Sequence, residues 1–257
     1  DRVASRGLGD VYKRQLQGDA LDFYPAPGTA AATHFNNFGS GQKFVFPAES
    51  SACNAVTLHP HLLQAVADLL GVSPCDLRLT QSDLWPKYGN GDSDDALDNT
   101  DQRIHCDYPN HSLVHPPEWD NPEAVEIIIY LNDYDECEGA TAVVPRDGQS
   151  DPAYPWPIVQ TPGVAGLDYV NDRDKAEAYM AERNPEAADF REKHLYAREL
   201  VAEYKFGSVL FYRHDTWHRG RPVKANALRL VQNLTFTKIG CDWLNVLHAG
   251  WCWSMYR

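Results

Sequence analysis

No run of about 18 apolar residues occurs in the 257-residue sequence, so no transmembrane helix is expected. Positive charge is scarce too: 36 Asp and Glu against 23 Lys and Arg leave a net charge of −13. That balance argues against a nucleic-acid partner, whose phosphates require a basic patch, and equally against an anionic membrane surface. The six cysteines, at 53, 75, 106, 137, 241 and 252, form no CxxC pair. The chain lacks a signal-peptide h-region and is too long for a small disulfide-stapled scaffold, so they read as reduced thiols in a cytoplasmic protein. Internal repeats and low-complexity segments are missing as well. What is abundant is apolar sequence, 43% of the chain, enough for one large core in a single domain.

The two ends differ from the rest. Residues 1–15 are basic and glycine-bearing and do not start with Met, like the adaptor-like tails translated at the ends of sequence fragments. They are expected to lie outside a domain that spans 16–257. The closing Trp251-Cys252-Trp253-Ser254-Met255-Tyr256-Arg257 is too apolar for an exposed tail, the pattern of a truncated chain.

Between them, Pro60 at a helix start, Leu62, Leu63, Val66, Leu69 and Leu70 at helical spacing, and Gly71 as the stop predict one amphipathic helix. Leu77 to Trp85 reads as a strand, and the Asn-, Asp- and Gly-rich 89–101 as a loop. Ala124 to Asn132 predicts a strand with Val125, Ile127, Ile129 and Leu131 on one face. Gly207 opens a turn into another strand, and Leu228 to Phe236 predicts one that places Arg229, Val231, Asn233 and Thr235 together. A helical insert at about 149–202 interrupts the strands, with helices at 172–183 and 185–196, the second capped by Asn184 with Pro185 in its first turn.

The chemistry concentrates in His105-Cys106-Asp107, His218 far downstream, and Arg229 eleven positions after that. In a strand, residues two apart point the same way, so His105 and Asp107 can grip one metal while Cys106 turns to packing. Two imidazoles and one carboxylate form the facial triad of non-haem Fe(II) oxygenases, which keeps positions open for a second ligand and O2. A buried arginine beside such a centre requires an anion. Its planar guanidinium suits a carboxylate, and the simplest to propose is that of 2-oxoglutarate.

In these blocks the chain resembles the phytanoyl-CoA dioxygenase family of Fe(II)/2-oxoglutarate oxygenases, from about residue 55 to about 240. The resemblance rests on Gln102-Arg103-Ile104-His105-Cys106-Asp107 and on Glu126 to Asp133 leading into Gly139 to Pro145, which looks like the family's central hairpin. The stretch from Gly207 through His218 to Arg229 completes it. A His-x-Asp alone is weak; four blocks in family order are a strong signal. The implied fold is mainly β, a double-stranded β-helix (jelly roll, cupin-like) with flanking helices. The implied reaction is hydroxylation of a small organic metabolite, with O2 consumed and 2-oxoglutarate converted to succinate and CO2. Family halogenases carry a small residue in place of the carboxylate ligand, so Asp107 favours hydroxylation. Gln81 and Lys87, in Gln81-Ser82-Asp83-Leu84-Trp85-Pro86-Lys87, are similar to a glutamine and a lysine that relatives place near the pocket. The basic residues Arg219, Arg221 and Lys224 depart from the small polar residues of many relatives.

Other readings stay open. His214 competes with His218 as third ligand, although only His218 keeps the family distance to Arg229. His111 and His115 could join His105 in a zinc site. His59, His61, His194 and His248 read as surface or core residues, Asp92 to Asp95 as a solvated loop, and Glu177, Glu182, Glu186 and Glu192 as an exposed face. The aromatic segment Tyr154-Pro155-Trp156-Pro157 and the insert helices are expected either to close over the pocket, contacting substrate with Trp85, Tyr108 and Arg221, or to decorate the outer surface. The rivals to the oxygenase are a non-catalytic jelly-roll binding protein and a cupin-like metalloenzyme without 2-oxoglutarate.

Overall fold

The computed structural model describes residues 2–35, 41–89, 99–106, 118–154 and 171–241. Within them, stretches rich in β-branched and aromatic residues form strands β1 (Leu77–Tyr88), β2 (Ala124–Tyr130), β3 (Thr141–Val143), β4 (Leu200–Val201), β5 (Val209–Arg213), β6 (His218–Gly220) and β7 (Leu228–Lys238). They make two antiparallel sheets, one ordered β1-β7-β2-β5 and a smaller one ordered β4-β3-β6.

The larger sheet is covered on one face by helices α1 (Arg2–Phe23), α2 (Ser51–Thr57) and α3 (Pro60–Leu70). Leu84, Ile127, Ile129, Leu230 and Leu234 meet Leu16, Val56, Val66 and Leu70 there. Each fully buried side chain of this size contributes roughly 1.5–3 kcal/mol of transfer free energy. Helix α3 begins at Pro60 and ends at Gly71, whose φ of 67° is the left-handed conformation that glycine adopts without a Cβ clash. Helix α1 runs across residue 15, and Lys13 Nζ donates to the Gly207 carbonyl at 2.8 Å, so docking begins upstream of the boundary set from sequence.

The opposite face of this sheet looks into the molecule, and a bulge decides which residues it carries. Leu79 pairs with Phe236 but Gln81 with Thr235, so Thr80 is the extra residue. Leu77 and Leu79 therefore share the helix-packed side with Leu84, while Gln81, Asp83, Trp85 and Lys87 turn inward beside Thr235, Asn233, Val231 and Arg229. Pro86 is tolerated because β1 is an edge strand. Its partner Leu230 directs its own N–H and C=O toward Asn132 and Leu131, so the missing donor of Pro86 faces away from the sheet. Further along that edge, the Phe46 N–H donates to the Ser82 carbonyl at 2.9 Å.

Three sequence expectations are corrected. The segments 126–133 and 139–145 do not form a hairpin: β2 lies in the larger sheet and β3 in the smaller. Between them the short helix α4 (Tyr134–Cys137), held by an Asp133/Glu136 capping box, and Gly139 (φ 69°) carry the chain from one sheet to the other. His105 lies on an extended segment joined by isolated bridges at Gln102 and His105 rather than on a regular strand. The second insert helix stops early. After α5 (Arg173–Arg183), α6 runs only from Pro185 to Phe190 and gives way to a π-helical turn, Arg191–Leu195.

Arg191, the first residue of that widened turn, is fully buried on the face it shares with Ala187 and Leu195. Arg191 grips the Glu177 carboxylate at 2.6 Å and donates to the Ile104 carbonyl at 3.0 Å. Tyr196 takes a hydrogen bond from the Ile104 N–H at 2.9 Å and donates to Glu177 at 2.7 Å. Glu177 is thus a buried-side partner, correcting its assignment to an exposed face; Glu182, Glu186 and Glu192 are exposed as expected. Ile104 and Cys106 pack with Leu195, Tyr196 and Trp217, so these helices buttress the back of the His105 segment instead of covering its front. Residues 155–170, with Trp156, lie outside the described residues.

Candidate metal centre and pocket

The two sheets meet through side chains of the inward face. Tyr130 Oη donates to Thr141 Oγ1 at 3.0 Å, Lys87 Nζ to the Arg221 carbonyl at 2.9 Å, and Arg229 Nη1 to the Gly139 carbonyl. Between them sit His105 and His218. The smaller sheet brings His218 directly beside His105: each backbone N–H donates to the other's carbonyl, at 2.9 and 2.8 Å. The ring centroids are 4.4 Å apart, and Tyr212 of β5 lies 4.8 Å from the His218 ring.

Both imidazoles are anchored the same way. His105 Nδ1 is 3.1 Å from the Arg103 carbonyl, and His218 Nδ1 is 2.9 Å from the Thr216 carbonyl. A carbonyl can only accept, so each Nδ1 carries the proton and each Nε2 the lone pair, the tautomer that a metal-ligating histidine uses.

The Thr216 carbonyl is itself held in place. Arg146 makes two bonds to the Asp215 carboxylate, at 3.0 and 3.1 Å, and a third to Thr216 Oγ1 at 3.0 Å. Arg213 reaches the same carboxylate at 3.0 and 3.2 Å. Burial alone would raise the Asp215 carboxyl, but Arg146 and then Arg213 outweigh it and hold it below the ordinary range. Because the folded value is depressed, this stabilisation is present above the unfolded carboxylate range and is lost as pH falls through the folded one. With His218 as a metal ligand, Asp215→Asn is expected to weaken iron binding by roughly tenfold, the lower end of the loss of an orienting partner, because Asp215 acts through Arg146 and Thr216. Competition against a chelator measures it, and unchanged affinity would remove Asp215 from the His218 support.

Arg229, opposite Lys87 in the β1–β7 register, is buried. Its Nε has no hydrogen-bond partner and no carboxylate pairs with it among the described residues. Lys87, buried as well, directs its ammonium to the Thr100 and Arg221 carbonyls. Gly139 supplies the carbonyl to Arg229 in a space where a Cβ would lie 2.6 Å from Val223 Cγ2. Tyr130 and Tyr204, stacked at 3.8 Å, and Cys137, 3.2 Å from Tyr204 Oη, complete this end.

The far end of the same face is acidic. Asp83 accepts from the Trp85 indole at 2.6 Å and from the Gln81 amide at 3.3 Å. Burial pushes its carboxyl up to about 7, these two bonds oppose the rise, and the nearby Glu126 adds to it. Glu126 Oε1 accepts from Thr235 at 2.9 Å and lies 2.7 Å from His214 Nδ1. His214 is therefore turned to Glu126, while His218 is the imidazole beside His105.

The structure thus brings His105 and His218 together, and Gln81, Trp85, Lys87 and Arg229 onto one face. The Arg221 side chain is exposed and only its carbonyl meets Lys87. Asp107 and Tyr108 lie outside the described residues, as do His111 and His115 of the zinc alternative. No third His, Cys, Asp or Glu joins the two imidazoles among the described residues. Sequence reasoning missed Asp83, Glu126, Tyr130 and Tyr212. Glu126 carried a signal, being an acid inside the apolar run Ala124–Tyr130, where a buried charge needs a purpose.

The model of the phytanoyl-CoA dioxygenase family matches residues 14–231. No curated protein matches the sequence. Among solved structures, the non-haem α-ketoglutarate-dependent carbocyclase SnoK from nogalamycin biosynthesis is similar at 14% identity with a TM-score of 0.51, covering 77% of this chain and 64% of that one. The non-haem monooxygenase ThoJ, as its nickel complex, is similar at 14% identity and a TM-score of 0.51, covering 89% of this chain and 69% of that one. The chain spans about 64% of the carbocyclase's length, and at these identities the likeness is one of fold: mainly antiparallel sheets with flanking helices.

Proposed function

Because the chain belongs to the phytanoyl-CoA dioxygenase family, whose enzymes use Fe(II) and 2-oxoglutarate, we propose that it hydroxylates a small organic metabolite with release of succinate and CO2. Its two facing antiparallel sheets support a double-stranded β-helix as the architecture. The observation that carries the reading is the pair of adjacent imidazoles, each with Nδ1 tied to a carbonyl, set on the same interior as a buried arginine whose Nε is unmet. The donor set fits both groups: Nε2 lone pairs for a metal, and an unmatched guanidinium for a carboxylate.

In this reading His105, Asp107 and His218 hold the iron, and Arg229 orients the distal carboxylate of 2-oxoglutarate, with Lys87 and Gln81 beside it. Bound there, iron and 2-oxoglutarate supply the activation of O2. The residues bind, orient and exclude water. Trp85 and Tyr108 contact the substrate, and Arg221 acts through the carbonyl that fixes Lys87. A metalloenzyme that did not use 2-oxoglutarate would have no need of Arg229. The test is anaerobic: adding 2-oxoglutarate to the Fe(II) protein should produce the weak visible metal-to-ligand band. No band at saturating iron and 2-oxoglutarate would overturn the proposal.

A further inference from the structure

Elsewhere in this fold, buried and half-buried acids are matched by arginine. Asp215 has Arg146 and Arg213, Glu199 and Asp101 have Arg219, Glu177 has Arg191, and Asp151 has Arg198. Asp83 and Glu126 break that pattern. They are 2% and 1% exposed, yet neither pairs with a lysine or arginine among the described residues. Of the undescribed segments, 36–40, 90–98, 107–117 and 155–170 contain no lysine or arginine, and 242–257 contains one, Arg257. His214 is the basic group in contact, and it meets Glu126 at Oε1.

A second observation points to what is missing. Glu126 Oε2 and Asn233 Oδ1 are buried without a hydrogen-bond partner. Asn233 is 6% exposed and lies opposite Asp83 in the β1–β7 register. The neighbouring row places Glu126 opposite Thr235, and Thr235 opposite Gln81. These orphan oxygens can only accept, and leaving such groups unmet inside a protein is costly. What would satisfy them is a guest with several N–H donors and a positive charge. The Trp85 ring, tied to Asp83 through its indole N–H, adds a surface that favours a cation.

We propose that Asp83, Glu126 and Asn233 form a subsite for the protonated amine of the substrate. The substrate is then a small aliphatic amine or amino compound. Resting on the oxygenase reading, this names the class of molecule oxidised. The inward face becomes polarised, with Lys87 and Arg229 at one end and the acids about 13 Å away along β1, four residues at strand rise. Glu126 pairs across the sheet with Tyr212, whose ring touches His218, so an ammonium seated there holds its neighbouring carbons beside the metal imidazoles.

The test uses n-butylammonium, 1-butanol and butyrate, titrated calorimetrically into the anaerobic protein with Fe(II) and 2-oxoglutarate, and into the metal-free protein. Butylammonium should bind at least about tenfold more tightly than butanol, the scale of a charge-assisted pair, with butyrate weakest. Glu126→Gln should erase most of that preference, and Asp83→Asn provides the same comparison should the first variant misfold. Equal affinity for amine and alcohol, or a preference that survives in both folded variants, would overturn the subsite. The visible band is recorded in the same samples. A band without ammonium preference sinks this inference alone, whereas absence of the band sinks the oxygenase reading.

Discussion

Alanine at position 218 is expected to abolish iron-dependent turnover of 2-oxoglutarate while the protein stays folded. The ring of His218 donates to the Thr216 carbonyl, whereas the bridge to His105 uses the backbone N–H and C=O, which alanine keeps. Losing one of three proposed ligands removes the facial geometry that a non-haem iron site requires. Succinate release and iron stoichiometry measure the loss, and circular dichroism checks the fold. Asp107→Ala should behave alike. His214→Ala should retain bound iron, because that imidazole faces Glu126. If His218→Ala turns over normally and His214→Ala does not, the third ligand has been assigned to the wrong histidine.

Arg229→Leu should raise the requirement for 2-oxoglutarate by about one and a half to three and a half decades, since breaking a buried charge-assisted pair costs roughly 2–5 kcal/mol. Iron affinity should change little, as Arg229 lies across the pocket among Gly139, Lys87 and Tyr204 rather than on the imidazoles. Arg229→Lys keeps the charge but not the planar fork and should fall between. An unchanged apparent affinity for 2-oxoglutarate in the leucine variant would end the assignment.

How far these sites could be read in advance follows from the range of the signals. Period-two alternation is local, so the sequence was enough to put Arg229, Val231, Asn233 and Thr235 on one face, and Pro60 with Gly71 was enough to bound α3. The bulge at Thr80 is set by pairing with Phe236 and Thr235, more than 150 residues away, and nothing within Leu77–Tyr88 announces it. Asp83 therefore went unnoticed as an inward acid. The switch of sheets between β2 and β3 was hidden for a similar reason. A capping box and a glycine look alike whether the chain returns on itself or crosses to another layer. The role of the insert depended on Arg191, which shares a helical face with the buried Ala187 and Leu195 but whose partners Glu177 and Ile104 lie far upstream, where no local period points.

The edge of β1 has a bearing on solution behaviour. An unprotected outer strand offers a row of donors and acceptors on which another chain can add, and so begins edge-to-edge aggregation. Here Phe46 already occupies the Ser82 carbonyl, and Pro86 contributes no donor four residues further on. An incoming strand would meet an occupied acceptor and then a missing donor within one short stretch. Colloidal resistance of this edge is thus written into two residues that take no part in the chemistry.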